Sequence, residues 1–375
     1  MSHTTQTVLI AASGTGGHLF PAIAVAEALK RTVENVQIRF VGSGRDVERH
    51  IIARAGYELI ELRVKPLKGK SVLLKLGALA MLVPAVLTSW TLVRKLHPSL
   101  VIGAGGYVSG PLVMAASLSC PTFIFEVNLR PGLTTRWLAP FTRCVVCSFR
   151  ESVPMFGRKG VWAGHPVRPE FFAIRSRVTP AGISGDRPFH VLVFGGSQGS
   201  TVLNNAVMDA LPLWPTNAKL VHQTGTKDFE KARDAHEAAG SGAVVSAFID
   251  RMADAFAEAD LIVCRAGAST IAEIAAAGRP AILVPFAAAA DNHQELNARA
   301  MERAGAAVVL TERELTPRLL CARMEELMAA PDKRAAMSDA ARCMANPDAA
   351  AEISRIAARL MHGGPPGAAS EDRHA

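Results

Sequence analysis

The chain has 375 residues, 49% apolar and 20% charged, which is the composition of a soluble globular protein too long for one compact core and points to two domains. Its six cysteines (Cys120, Cys144, Cys147, Cys264, Cys321, Cys343) are too scattered for a disulfide framework. Low aromatic content, with no nucleic-acid module, argues against a nucleic-acid partner.

The net charge of +8 is uneven. Residues 1–168 carry 20 Lys and Arg against 8 Asp and Glu, a balance of +12; the remainder carries 21 against 25, or −4. The basic half calls for an acidic partner such as anionic lipid or a phosphorylated substrate. The chain enters an apolar strand at Val8 without a basic leader or cleavage site, so a cytoplasmic location is expected.

Apolar runs bounded by Gly and Pro alternate with helix-length segments along the chain. "TVLIAA" (7–12) precedes "PAIAVAEALKR", and "VQIRFVG", "SLVIGAGG", "PTFIFE" and "CVVCSF" follow. Later come "FHVLVFGGS", "AKLVHQTG", "GAVVSAF", "DLIVCRAG", "PAILVPF" and "GAAVVL". This rhythm predicts α/β architecture, with parallel sheets covered by helices on both faces. The CxxC of Cys144 and Cys147 lies inside such a run and reads as core packing.

"VLIAASGTGGH" (8–18) has an internal echo in "VLVFGGSQGS" (191–200), each an apolar strand, a Gly/Ser turn and a helix. That is the first turn of a doubly wound sheet, so two Rossmann-like domains are expected. The predicted divisions are an N-terminal domain over 1–165, a linker over 166–187 and a C-terminal domain over 188–346. A helix over 347–362 is expected to pack back on the N-terminal domain, before a disordered tail over 363–375.

Residues 65–95 break the rhythm with a long apolar run. It contains Pro84 and is flanked by Lys65, Lys68, Lys70 and Lys75 before and Arg94 and Lys95 after. A buried crossover helix and an interfacial helix on an anionic leaflet both fit; Pro84 in mid-run disfavours a membrane span.

In "SGTGGH", Gly14, Gly16 and Gly17 form a turn whose amides suit an anion. The third glycine of a dinucleotide fingerprint is missing, and the next strand lacks the ribose-binding acid. His18, at the start of the helix, is a candidate base. A second candidate is Glu126, which with Asn128 ends the strand "FEVN", where ligands of open α/β sheets bind. Arg168, between two prolines, suits a diphosphate. "GGSQG" (195–199) is a phosphate cradle containing Ser197. In "CRAGASTIAEIAAAGRP" (264–280) a helix opens near Ala268–Ser269, offering amides to phosphate, and Glu273 lies a turn further on to meet ribose hydroxyls. "DNHQELNA" (291–298) adds a polar set, Gln294 included, suited to sugar hydroxyls.

The ordered set "GTGGH", "GGYVSGP", "E-x-N", "G-x-PVR", "GGSQG", "FIDRM", "CRAGASTIAE" and "DNHQELNA" spans about residues 8 to 297. It resembles the GT-B glycosyltransferases of family 28, bacterial enzymes that move N-acetylglucosamine from UDP-GlcNAc to lipid I. The resemblance implies two Rossmann-like domains facing across a cleft. It implies inverting transfer to the C4 hydroxyl of MurNAc in undecaprenyl-pyrophosphoryl-MurNAc-pentapeptide, yielding lipid II for peptidoglycan.

It also assigns residues. Thr15, Gly16, Gly17 and Asn128 would face donor sugar and acceptor, and Arg168 and Ser197 the donor diphosphate. The backbone of Ile249 would hold uracil. Ala268, Ser269, Thr270, Ile271, Ala272 and Glu273 would bind phosphate and ribose, and Gln294 the sugar. No cofactor is implied, and the chain has no Asp-x-Asp metal motif. The implied partners are UDP-GlcNAc, undecaprenyl-linked lipid I, the anionic inner-leaflet surface and a cell-wall synthesis or division complex. The implied location is peripheral, on the cytoplasmic face of the inner membrane. One departure is Phe125, where the family often has His before Glu-x-Asn. The rival readings are another GT-B UDP-sugar enzyme (a soluble-acceptor glycosyltransferase or a UDP-sugar epimerase) and a nucleotide-binding protein without turnover.

Overall fold

The computed structural model describes residues 5–14, 16–62, 64, 72–177 and 188–366. The chain divides into two units, Met1–Val167 with Asp348–Ala375, and Arg168–Pro347.

The first unit runs β1 (Gln6–Ala11), α1 (Gly16–Thr32), β2 (Val36–Gly42), α2 (Asp46–Arg54), β3 (Glu58–Glu61) and α3 (Val72–Leu96). It continues with β4 (Leu100–Gly103), α4 (Ser109–Ala116), β5 (Thr122–Glu126), α5 (Leu133–Leu138), β6 (Cys144–Cys147) and β7 (Gly160–Trp162). The strands pair in parallel in the order β3-β2-β1-β4-β5-β6-β7. Strands covered on both faces must be apolar throughout, and β4, β5 and β6 are buried at every position. Leu9, Val41, Val101, Leu112 and Ile124 form the core against α3 and α4. Cys144 and Cys147 are buried free thiols, each pushed up to about 12 chiefly by burial. They fill space and are not reactive.

From Val83 onward α3 has two faces. Ala85, Ser89 and Val93, four residues apart, are buried, and the helix packs against α4. Val83, Leu87 and Trp90 are exposed on another side. This part of the run is therefore a crossover helix that also presents an apolar row outward. Among the described residues, no helix is long and apolar enough to cross a membrane.

The second unit begins with α6 (Pro169–Arg177), followed by β8 (Phe189–Phe194), α7 (Thr201–Ala210), β9 (Ala218–Gln223), α8 (Phe229–Ala238), β10 (Val244–Ser246) and α9 (Met252–Glu258). Next are β11 (Leu261–Cys264), α10 (Ala268–Ala277), β12 (Ala281–Leu283), α11 (His293–Arg303), β13 (Ala307–Val309), α12 (Pro317–Ala329) and α13 (Pro331–Met344). All strands are parallel, in the order β10-β9-β8-β11-β12-β13. The segment read as a linker differs from expectation at its start. Phe171 and Ile174, three apart, are buried on α6, and Phe171 meets Phe256 edge-on at 5.1 Å. The remainder, 178–187, lies outside the described residues.

The last helix, α14 (Ala349–Met361), belongs to the first unit. Its apolar stripe of Ile353, Ile356, Ala357 and Leu360 is buried, and the helix packs on α1. Of the tail expected to be disordered, 367–375 lies outside the described residues.

Candidate active site

In each sheet the order reverses beside its first strand, between β1 and β4 and between β8 and β11. Loops leaving adjacent strands in opposite directions open a crevice there, which is where ligands of open α/β sheets bind. The sequence places its Gly-rich turns at both switch points.

At the first, the β1–α1 and β4–α4 loops approach backbone to backbone. A Cβ on Gly105 (φ +111°) would stand 2.3 Å from His18 Nδ1, and one on Gly106 (φ +80°) 2.1 Å from Ser13 Oγ. Only glycine permits that closeness. The Ser13 N–H donates to the Gly105 carbonyl, and the Gly105 N–H to Ser109 Oγ. His18, half-buried in the first turn of α1, thus lies against the β4–α4 loop. Gly16 is buried and Gly17 half-buried in the same turn; Thr15 lies outside the described residues.

Glu48 holds this loop from below, and the sequence reading missed it. The side chain is fully buried and accepts from the N–H groups of Gly14 (2.8 Å), Ser43 (2.7 Å) and Gly44 (2.9 Å) and from Ser43 Oγ (2.7 Å). Its signal was a glutamate at the third position of α2, the capping-box place, disguised because Arg45 occupies the N-cap.

Glu126 is buried at the end of β5. One oxygen accepts from Asn128 N (3.0 Å) and Nδ2 (3.2 Å), the other from Gly132 N (3.1 Å). Both oxygens shape the 127–132 loop, and this carboxylate is better placed to hold Asn128 than to take a proton from a substrate. Beside it, the ring of Phe125 has an imidazole neighbour, His165, at 6.0 Å between centroids. Burial, aided by the charge of nearby His18, pulls His165 down to about 3. His165 is therefore neutral near pH 7, with its Nδ1 3.2 Å from Ser148 Oγ.

In the second unit, the β8–α7 loop carries exposed Ser197 and ends at Ser200, whose side chain caps α7 by accepting from Leu203 N. A Cβ on Gly199 (φ +71°) would fall 1.9 Å from the Thr224 carbonyl, so this loop lies directly against the one after β9. Ile249 is half-buried in the loop after β10, where the Ala247 carbonyl accepts from Gln223 Nε2 and Gly225 N.

Helix α10 starts beyond β11 with Gly267 as N-cap, which brings no side chain to its first-turn amides. Ala268, Ser269 and Thr270 form that turn, Ile271 is buried, and Ala272 and Glu273 follow. Glu273 is expected at ribose, and Arg168 at the diphosphate; here they meet each other. Arg168 Nη2 donates to Glu273 Oε1 (3.2 Å), and Nη1 pairs with Glu170 Oε1 (3.0 Å). Burial pushes Glu273 up to about 7, with Arg168 pulling it back and Glu170 adding to the rise. Gln294 Oε1 accepts from Phe286 N (3.0 Å), tying α11 to the loop after β12. Asp291 (φ +50°) and Asn292 (φ +55°) bend that loop through the left-handed region, which Asp and Asn tolerate best.

A chain with two Rossmann-order sheets, each carrying a Gly-rich loop at its switch point, is built to bind a phosphorylated ligand. Residues 8–147 match the glycosyltransferase family 28 N-terminal domain and residues 190–353 the family 28 C-terminal domain. The chain belongs to glycosyltransferase family 28, and its two parallel-sheet units are the GT-B fold. It is 40% identical over 355 residues to a Syntrophotalea carbinolica protein named UDP-N-acetylglucosamine--N-acetylmuramyl-(pentapeptide) pyrophosphoryl-undecaprenol N-acetylglucosamine transferase, covering 93% of this chain and 97% of that one. The crystal structure of Acinetobacter baumannii MurG matches with a TM-score of 0.77 at 29% identity, over 95% of this chain and 100% of that one. A UDP-N-acetylglucosamine 2-epimerase structure matches with a TM-score of 0.66 at 12% identity, over 96% and 97%; at that identity the likeness is one of fold alone.

Proposed function

We propose that this chain transfers N-acetylglucosamine from UDP-GlcNAc to the C4 hydroxyl of MurNAc in undecaprenyl-pyrophosphoryl-MurNAc-pentapeptide, forming lipid II and UDP. The observation that carries this is the family membership, joined to the Gly-rich and helix-opening loops at the carboxyl end of the second sheet and the histidine-bearing loop at the switch point of the first.

His18 takes the proton of the acceptor hydroxyl as its oxygen attacks C1 of the donor sugar. The C1–O bond to the β-phosphate breaks in the same displacement, inverting the anomeric centre and releasing UDP. The leaving diphosphate is stabilised by the first-turn amides of α10 and by Arg168 once ribose hydroxyls engage Glu273. These groups supply the charge stabilisation that a metal ion gives in other transferases, and we propose that none is needed. Asn128, shaped by Glu126, and the Gly16–Gly17 turn meet sugar and acceptor.

The acceptor is anchored in a bilayer, so the first unit must reach one. Val83, Leu87 and Trp90 on α3, and Leu133 and Trp137 on α5, are exposed apolar side chains in the half of the chain that is strongly basic. Arg94 lies over the Trp90 ring at 4.7 Å. Apolar insertion combined with basic charge supports peripheral binding to the anionic cytoplasmic leaflet.

The test is UDP release from UDP-GlcNAc with and without a lipid I analogue. Release that requires the analogue supports the reading. Turnover of UDP-GlcNAc without any acceptor would instead favour an epimerase-type reaction.

A further inference from the structure

Arg265, the first residue after β11, is only 8% exposed and belongs to none of the roles above. Its guanidinium reaches both neighbours of that strand. Nε donates to Ser200 Oγ at 2.9 Å, on the β8 side. Nη1 donates to the carbonyls of Val284 (3.2 Å) and Pro285 (3.3 Å), on the β12 side. Nη2 pairs with Glu312 Oε1 at 2.6 Å, in the segment following β13.

Each partner is a structural point of a different loop. Ser200 closes the GGSQG turn and caps α7. Val284 and Pro285 lead into Phe286, whose N–H holds Gln294 and whose ring lies 5.5 Å from the guanidinium. Glu312 lies one residue after Thr311, which is held by Glu314. Arg265 itself leads into Gly267 and α10. β8, β11, β12 and β13 are consecutive in the sheet, so one side chain spans the carboxyl ends of four strands.

We infer that Arg265 is a positioning residue for nucleotide-sugar binding, fixing the spacing between the GGSQG turn, the start of α10 and the sugar loop after β12. The inference rests on the reading of this unit as the UDP-GlcNAc site. Arginine is the residue such a task requires, because its planar fork donates in several directions at fixed angles. Lysine carries its three donors on a single compact head group and cannot span partners on both flanking strands. Burial lowers the Arg265 guanidinium from its ordinary value and the Glu312 carboxylate opposes that; a guanidinium stays charged under desolvation where an ammonium readily gives up its proton.

The experiment measures UDP binding by calorimetry, at a temperature where each protein is folded, for wild type, R265K and E312Q. Steady-state kinetics with UDP-GlcNAc and a lipid I analogue accompany it. Loss of bonds from a buried charged donor weakens UDP binding by about ten- to a hundredfold in R265K. E312Q, which keeps the bonds to Ser200 and the two carbonyls, shows a smaller loss. In both, KM for donor rises while KM for acceptor is unchanged. A residue serving stability alone would lower Tm and leave the UDP affinity of the folded protein intact. Wild-type UDP affinity in folded R265K overturns the inference. If R265K does not fold, E312Q decides alone, and wild-type affinity there overturns it. Wild-type protein that fails to bind UDP overturns the donor-site reading itself, and this inference with it.

Discussion

At the scale of single residues, the two candidate bases, His18 and Glu126, are told apart by substitution. His18 stands in the first turn of α1 against the β4–α4 loop, whereas both oxygens of Glu126 accept hydrogen bonds from the 127–132 loop. His18→Ala is expected to lower kcat by roughly 10²- to 10⁴-fold, as for loss of a general base, with UDP affinity kept. Unchanged kcat removes His18 from the role. Glu126→Gln leaves an amide facing N–H donors and is expected to cost about 1–3 kcal/mol of stability, read by denaturant unfolding. It should act on the acceptor KM more than on kcat; a collapse of kcat with stability intact would return Glu126 as the base. His18, Glu126, Arg168 and Glu273 were legible because each sits at a fixed offset from a turn motif. Glu48 and Arg265 were not. Arg265 bonds Ser200 65 residues away and Glu48 bonds Gly14 34 away, which no local spacing encodes; Glu48's nearer partners, Ser43 and Gly44, follow from a capping-box place disguised by an arginine N-cap.

At the scale of elements, the Gly-rich turns carried the most information, since a positive φ and a close backbone approach both demand glycine. Gly199→Ala meets the Thr224 carbonyl in a left-handed conformation. It is expected to cost at least about 1–3 kcal/mol and to abolish UDP binding, whereas Ala at an exposed turn would be nearly neutral. The α3 segment shows the opposite case. It is apolar all round, so the pattern could not separate the face packed on α4 from the row of Val83, Leu87 and Trp90. The double substitution L87E/W90E is expected to weaken binding to anionic vesicles severalfold, with turnover of a water-soluble acceptor analogue unchanged. Binding undiminished by these charges, or equal on neutral vesicles at high salt, would move the docking surface elsewhere. Helix α6 escaped because Pro166 and Pro169 marked its start as extended, while its apolar pair needed partners on α9 and α10 to show its purpose.

At the scale of the whole molecule, the repeated strand-turn-helix made the α/β class and the two sheets legible, since each unit repeats the same solution to burying a parallel sheet. Its response to pH follows from what was buried. His222 and His165 are each held down to about 3 by burial and a neighbouring histidine, and His236 is lowered by burial. Each binds a proton near 6.5 when unfolded, so below that the unfolded chain takes up more protons and stability falls as pH falls, down to about 3 for His222 and His165. Glu273 runs the other way: raised from 4.5 to about 7, it weakens the fold as pH rises through that range. Three histidines against one carboxylate leave the net trend downward on acidification. Tm measured from pH 7 to pH 4 is therefore expected to decline steadily, and a rise would contradict the buried neutral histidines.

The proposed reaction is sugar transfer onto a lipid-linked acceptor. It is tested most directly by incubating the purified chain with labelled UDP-GlcNAc and a lipid I analogue, in the presence of EDTA, and locating the label. The expected result is label recovered in a disaccharide product with an inverted, β-configured linkage, at a rate undiminished by chelation. Label that stays in a nucleotide sugar, or product with retained configuration, would contradict the account.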